Sequence, residues 1–266
     1  MRLALAILLT VFAAGSTLAK PEIKDIQASH GQLGPERKSL DFLRGDELYL
    51  RFTVAGFTTD PDGRLVGEIT MSVTDAQKKE ILKKDIPIQQ VLALGGGTFP
   101  GHVSVTIGEE LPLGEYTLKV TITDNLARTS DAFERKFTCK AEEFALVAVR
   151  FSQDAEGRIP APVGGVVSQT LFLKARGIGF DRSTGELDVE MTIQVFDLKG
   201  NPLMPKPIRK GVHSEDPKAV KAATLINLRG ELTLNREGEF VLKVSLTDKV
   251  AKKTVAFEAP LKVTRP

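Results

Sequence analysis

The sequence has one cysteine, no tryptophan, two tyrosines and three histidines among its 266 residues. With Cys139 as the lone thiol, an intramolecular disulfide is excluded, although export would expose the chain to an oxidising compartment. Cys139 is in phase with Phe133 and Phe137 at spacing two, which directs it into a core as a small hydrophobe. The shortage of Trp and Tyr argues against a carbohydrate-binding face built from exposed rings. Charge of one sign is also lacking: 36 Lys+Arg face 34 Asp+Glu, a formal net charge of +2. No basic stripe is available for nucleic acid, so that class of partner is set aside. Beyond the N-terminus, no stretch is apolar enough to span a bilayer.

The N-terminus is the exception to this polar chain. Met1-Arg2 is followed by a nearly unbroken apolar stretch from Leu3 to Ala14, then by Gly15-Ser16-Thr17-Leu18-Ala19. One positive charge, a short apolar run and small residues at Thr17 and Ala19 form a secretory signal peptide over residues 1–19. The run is shorter than the roughly 20 residues that a membrane-crossing helix needs. Cleavage is expected before Lys20, leaving a mature chain in the periplasm, the cell envelope or the medium, with no transmembrane segment. No cysteine stands at the boundary to carry a lipid there.

An internal repeat organises the rest. Gly114–Cys139 aligns without gaps on Gly238–Val263 with 11 of 26 positions identical, where ordinary composition would give roughly two. Gly63–Asp75 aligns on Gly185–Asp197 with 6 of 13 identical. Leu48-Tyr49-Leu50 matches Leu171-Phe172-Leu173. The unit is therefore about 120 residues long and occurs twice. The expected organisation is a leader over 1–19 and two domains over 20–140 and 144–266. The segment between them is too short for a flexible linker, so the two should be held in a restricted relative orientation.

Within each unit, apolar residues recur at spacing two. Leu48, Leu50, Phe52 and Val54 alternate with polar neighbours, as do Ile69, Met71 and Val73, and Tyr116, Leu118, Val120 and Ile122. The second unit repeats this with Val189, Met191, Ile193 and Val195, and with Phe240, Leu242, Val244 and Leu246. Spacing two predicts strands with one buried and one solvated face. About seven such strands per unit, joined by turns such as Asp60-Pro61-Asp62-Gly63, predict an antiparallel β-sandwich. The fold class is all-β, two tandem immunoglobulin-like sandwiches, with one short helix placed in Glu215–Ala223. On this reading Tyr116, Leu118, Val120 and Phe133 fill one core, and Phe240, Leu242, Val244 and Phe257 fill the other.

The run Gly114-Glu115-Tyr116-x-Leu118-x-Val120, ending in Thr123-Asp124, resembles the late strand of bacterial immunoglobulin-like and macroglobulin-type modules. The chain is similar to uncharacterised exported bacterial proteins built from tandem repeats of that kind. The resemblance implies a corner tyrosine at Tyr116, whose hydroxyl ties a loop back to the strand. Phe240 stands at the matching position and lacks that hydroxyl.

A search for chemistry leaves the catalytic, cofactor and metal assignments at none. His30, His102 and His213 are far apart in sequence, and none is followed by a second ligand at metal spacing. Asp60-x-Asp62-Gly63, matched by Asp181-x-Ser183-x-Gly185, lacks the Glu and helices of an EF-hand and reads as an Asx turn, with weak calcium binding at the Asp60/Asp62 turn left open. Asp124 and Asp248 are matched between the repeats and read as hairpin caps rather than an acid–base pair. Gly95-Gly96-Gly97 is a turn without the Lys-Ser or Lys-Thr of a phosphate loop. The basic spots at Lys206–Lys210 and Lys249–Lys253 read as solvated loops. The expected function is a non-enzymatic binding or structural protein with a protein or envelope component as partner. The alternatives are an accessory or carrier subunit of an exported enzyme or envelope complex, and an enzyme with a loop-built site.

Overall fold

The computed structural model describes residues 20–266; the expected leader over 1–19 lies outside the described residues. In the first half of the chain the strands are β1 (Glu22–Ser29), β2 (Asp41–Phe42), β3 (Glu47–Ala55), β4 (Arg64–Asp75), β5 (Glu80–Val91), β6 (Phe99–Thr106), β7 (Gly114–Asp124) and β8 (Thr129–Cys139). In the second they are β9 (Ala145–Ser152), β10 (Gly164–Val166), β11 (Thr170–Ile178), β12 (Leu187–Phe196), β13 (Ile208–Ser214), β14 (Leu225–Thr233), β15 (Gly238–Asp248) and β16 (Lys253–Thr264). Helix α1 (Pro217–Ala222) falls inside the segment where the sequence places a helix. Asp216 caps it by accepting a hydrogen bond from the Lys218 N–H, and a proline opens its first turn.

The sheets repeat one layout. In the first half, a three-stranded sheet ordered β1-β3-β6 faces a five-stranded one ordered β2-β8-β7-β4-β5. In the second, β9-β11-β14 faces β10-β16-β15-β12-β13. All pairings are antiparallel except the short β2–β8 and β10–β16 pairs, which are parallel. This is the Greek-key arrangement of an immunoglobulin-like sandwich. The inward residues at spacing two fill two large apolar clusters, one per half. Tyr116, Leu118, Val120, Phe240, Leu242 and Val244 are buried as expected.

Phe133 and Phe257 depart from that expectation: both are half-buried and pack against the edge of a core. A three-stranded sheet cannot cover the whole inner face of a five-stranded one. Strands β8 and β16 stand beside the outermost parallel strand, so part of their inner face reaches solvent. Phe133 meets Phe52 edge-on at 5.5 Å between ring centroids, and Phe257 meets His30 edge-on at 4.9 Å.

A buried carboxylate ties the two sheets together in each half. Asp124 ends β7, and its Oδ1 accepts hydrogen bonds from the Leu126 and Ala127 N–H groups at 2.9 and 3.0 Å, capping the β7–β8 hairpin. Its Oδ2 accepts from the Thr58 N–H at 2.7 Å, in the loop that leaves β3 on the opposite sheet. Asp248 repeats this at the end of β15: Oδ1 accepts from Val250 and Ala251, and Oδ2 from the Asp181 N–H at 2.7 Å. The capping reading of the two aspartates therefore holds, and it extends to a cross-sheet tie. The Tyr116 hydroxyl donates to the Pro112 carbonyl at 2.7 Å, as a corner tyrosine does. In the second half the Arg236 guanidinium lies 5.2 Å above the Phe240 ring, a cation–π contact in place of that hydrogen bond.

The junction between the halves is polar and buried. Asp46 sits just before β3, and its side chain is 3% exposed. Its Oδ2 pairs with Arg37 at 2.7 Å, and its Oδ1 accepts from the Glu47 N–H at 2.8 Å and the Ala148 N–H at 3.0 Å. Ala148 has φ of 49° at a bulge where β9 shifts register against β11, which frees its N–H from the ladder. Asp25 holds the matching bulge of β1 with φ of 53°. Glu47 pairs with Arg150, and Arg176 donates to the Gly45 carbonyl at 3.0 Å. Leu43, Val147 and Ile178 form a small apolar cluster beside these groups. His30 is packed there against Phe257 of the second half; burial, aided by the nearby Arg37 charge, lowers its pKa to about 4, with Asp46 opposing.

Two outcomes follow. Phe240 is 7% exposed and lines an open cleft, so Phe240→Ala should cost about 3 kcal/mol, the lower end for a buried ring. Lys243→Ala removes an outward ion pair to Glu258 of 2.8 Å and should cost about 0.5 kcal/mol or less. Urea melts of the two variants check this, and equal losses would contradict the strand phase. The second outcome concerns His30. The unfolded chain takes up its proton near pH 6.5, whereas the folded chain does so only near pH 4, so acid favours unfolding. The His30 contribution is intact above pH 6.5 and is lost as pH falls from 6.5 towards 4. Urea midpoints measured between pH 7 and 5 should fall less steeply in His30→Gln than in the parent, and equal slopes would contradict a buried neutral imidazole.

Candidate functional site

An open cleft of about 740 Å³ lies at one end of the second half. Its origin lies in strand lengths. In the first half a tight hairpin joins β4 to β5, and β5 pairs along β4 from Arg64 to Thr74. In the second half, eleven residues, 197–207, intervene between β12 and β13. The register of β13 on β12 ends at Ile193↔Ile208, so Gln194, Val195 and Phe196 have no strand beside them on that side. The intervening segment folds back instead: the Leu203 N–H donates to the Val195 carbonyl at 2.9 Å, and the Gln194 amide donates to the Met204 carbonyl at 2.9 Å. This leaves the sandwich open between its two edge strands, β13 and β14.

The floor of the cleft is apolar, with Val195, Phe240, Leu261 and Val263 at its base. Lys206, Lys210 and Arg236 are exposed at its rim, against a single carboxylate, Glu231. The Lys206–Lys210 spot thus supplies two of the three rim cations, and Arg236 from the β14–β15 loop supplies the third. Sequence reasoning did not find the cleft, because it arises from a strand that stops short, and apolar spacing marks only the strands that form. The available signal was the long segment between β12 and β13, rich in Pro and Lys.

The histidines take different places. His30 lies at the junction, and His102 pairs across from Arg51 on β3 and β6. His213 stands on the outer face of β13 directly opposite Asp188 of β12. Its Nδ1 is 3.8 Å from Glu186 Oε1 and 3.9 Å from Asp188 Oδ2, and its Nε2 is 3.5 Å from Glu215 Oε1. Among the described residues, Glu186, Asp188 and His213 are a set whose ligand atoms all lie within 4.8 Å of one another. The sequence signal was present as two spacing-two pairs, Glu186-x-Asp188 and His213-x-Glu215, which the pairing of Asp188 with His213 brings together. Lys249 lies 3.3 Å from Asp188 Oδ1 and 3.6 Å from Glu190 Oε2, so this lysine of the basic spot pairs with carboxylates.

The remaining sequence candidates serve the backbone. Asp60 Oδ1 accepts from the Asp62 and Arg64 N–H groups at 2.9 and 2.8 Å, and Asp181 Oδ1 accepts from Ser183 at 2.8 Å. The hydrogen bonds from Ser183 hold the Asp181 carboxyl below its usual range. Gly95 closes a turn by donating to the Leu92 carbonyl at 2.9 Å. Cys139 is a buried free thiol, and burial pushes its pKa up.

The class these features define is an all-β protein of packed, mostly antiparallel sheets in immunoglobulin-like order. No family model and no curated protein matches the chain. Among solved structures it is similar to dimeric latent PorU from Porphyromonas gingivalis, with a TM-score of 0.39 and 10% identity, covering 96% of this chain and 21% of that one. It is also similar to a structure described as BspA_C_WT, with a TM-score of 0.31 and 8% identity, covering 89% of this chain and 99% of that one. The chain thus spans about a fifth of the PorU chain, and neither likeness carries an argument about function.

Proposed function

We propose that this chain is an exported, non-enzymatic binding protein of the periplasm or cell envelope, and that its second half holds an extended acidic segment of a partner protein. The observation that carries the reading is the cleft between β13 and β14. Its apolar floor receives side chains, and its three rim cations face one carboxylate. Both flanking strands are sheet edges, so their free backbone groups can pair with an added strand. Alternate side chains of such a strand point in opposite directions, one set to the floor and the other to the rim. Export rests on the apolar leader at the N-terminus. Among the described residues, no helix is long and apolar enough to cross a membrane.

A synthetic peptide alternating Val and Glu tests the reading by amide chemical-shift mapping on the labelled chain. The expected result is shifts confined to 194–210, 228–240 and 260–264, with affinity falling roughly tenfold in the Lys206→Glu/Lys210→Glu double variant. A Val/Lys peptide should bind more weakly than the Val/Glu one. Equal binding of the two peptides, shifts elsewhere on the surface, or occupation of the cleft by oleate with no peptide binding would overturn it.

A further inference from the structure

We propose that Glu186, Asp188 and His213 form a binding site for a divalent transition metal, zinc or a cation of similar character, on the outer face of the β12–β13 pair. The site goes beyond the cleft reading and is independent of it, because these side chains lie on the opposite side of the sheet from the apolar floor and near the other end of β13.

Two of the ligands come from adjacent strands in fixed register, and the third from the residue just before β12. Asp188 pairs directly with His213, and Glu186, two residues before Asp188, reaches the same imidazole. The His213 Nδ1 faces both carboxylates, at 3.8 and 3.9 Å. Metal–ligand bonds of about 2.0–2.1 Å in a tetrahedron place ligand atoms roughly 3.4 Å apart. The three ligand atoms already lie within 4.8 Å of one another. Their side chains are between 25% and 53% exposed, so rotation within that space closes the remaining gap. One imidazole nitrogen with two carboxylate oxygens suits zinc and its neighbours better than calcium, which takes oxygen ligands only.

Two further observations support a cation here. The other imidazole nitrogen, Nε2, faces Glu215 at 3.5 Å. A metal-bound histidine commonly donates its second N–H to a carboxylate, which fixes the ring and raises its basicity. Local charge is also unbalanced. Glu190 is matched by Arg209 at 2.7 Å, and Lys249 is shared between Glu190 and Asp188. Glu186 and Glu215 have only His213 within ion-pair distance among the described residues. A divalent ion would neutralise this excess, and Lys249 can keep its contact with Glu190 as Asp188 turns to the metal. The fourth position would open to solvent, because the site stands on an outer face.

Zinc titration by calorimetry tests the site on the whole purified chain, with cobalt absorption as a second readout. The expected result is saturation at one equivalent, with visible cobalt bands of a four-coordinate ion. His213→Ala and Asp188→Asn should each weaken zinc binding by about tenfold or more, and Glu215→Gln by a smaller factor. His102→Ala should leave it unchanged. Melting temperatures of the metal-free variants should match the parent, since these side chains are outward. Absence of saturable binding, unchanged affinity in His213→Ala, or calcium binding without zinc binding would overturn the proposal. Since the peptide test reads residues around the cleft floor, either result can fail without the other.

Discussion

Each half of this molecule depends on a carboxylate buried where a long central strand ends. Asp124 and Asp248 are 0% and 1% exposed, and each spends both oxygens on backbone N–H groups. One oxygen closes a hairpin in the five-stranded sheet, and the other reaches a loop that leaves the three-stranded sheet. A buried charge is tolerated only when it is fully hydrogen-bonded, and bonds to a charged acceptor contribute about 1.5–3 kcal/mol each. Through those contacts the end of one sheet fixes the position of the other. The alternating apolar residues of β4, β7, β12 and β15 can then interdigitate in a single register.

The same frame supports different surfaces in the two halves. In the first, β5 runs the length of β4. In the second, a shorter β13 leaves the apolar interior open at one end and gathers Lys206, Lys210 and Arg236 around it. The first half contributes instead to the junction. Asp46 takes the N–H that the β9 bulge leaves free, and Arg37, Arg150 and Arg176 hold the surrounding polar groups. Among the described residues no buried side-chain polar atom lacks a hydrogen-bond partner, so this wet-looking interface carries no unsatisfied group.

Much of this architecture is legible in the sequence, because a half-buried strand writes its phase into every second residue. The matched blocks mark both copies, and the buried pairs Tyr116/Phe240, Leu118/Leu242, Val120/Val244 and Ile122/Leu246 are all apolar or aromatic in both. Phe133 and Phe257 show where that reasoning ends. Periodicity identifies the face of a strand but not how far the opposite sheet extends over it. Glu186-x-Asp188 and His213-x-Glu215 are likewise visible as pairs, yet their juxtaposition depends on which strands become neighbours. Asp46 and Ala148 are 102 residues apart, and only the fold joins a turn carboxylate to a bulged N–H.

Hydrogen exchange of six loop amides tests the account most directly: Thr58, Leu126 and Ala127 in one half, and Asp181, Val250 and Ala251 in the other. All six donate to the buried aspartates and lie outside the regular strands. If those carboxylates join the sheets, these amides exchange as slowly as the central amides of β7 and β15, in both halves alike. Exchange at the rate of the exposed loop amides of Leu94 and Gly96 would show that the carboxylates do not hold the sheets together.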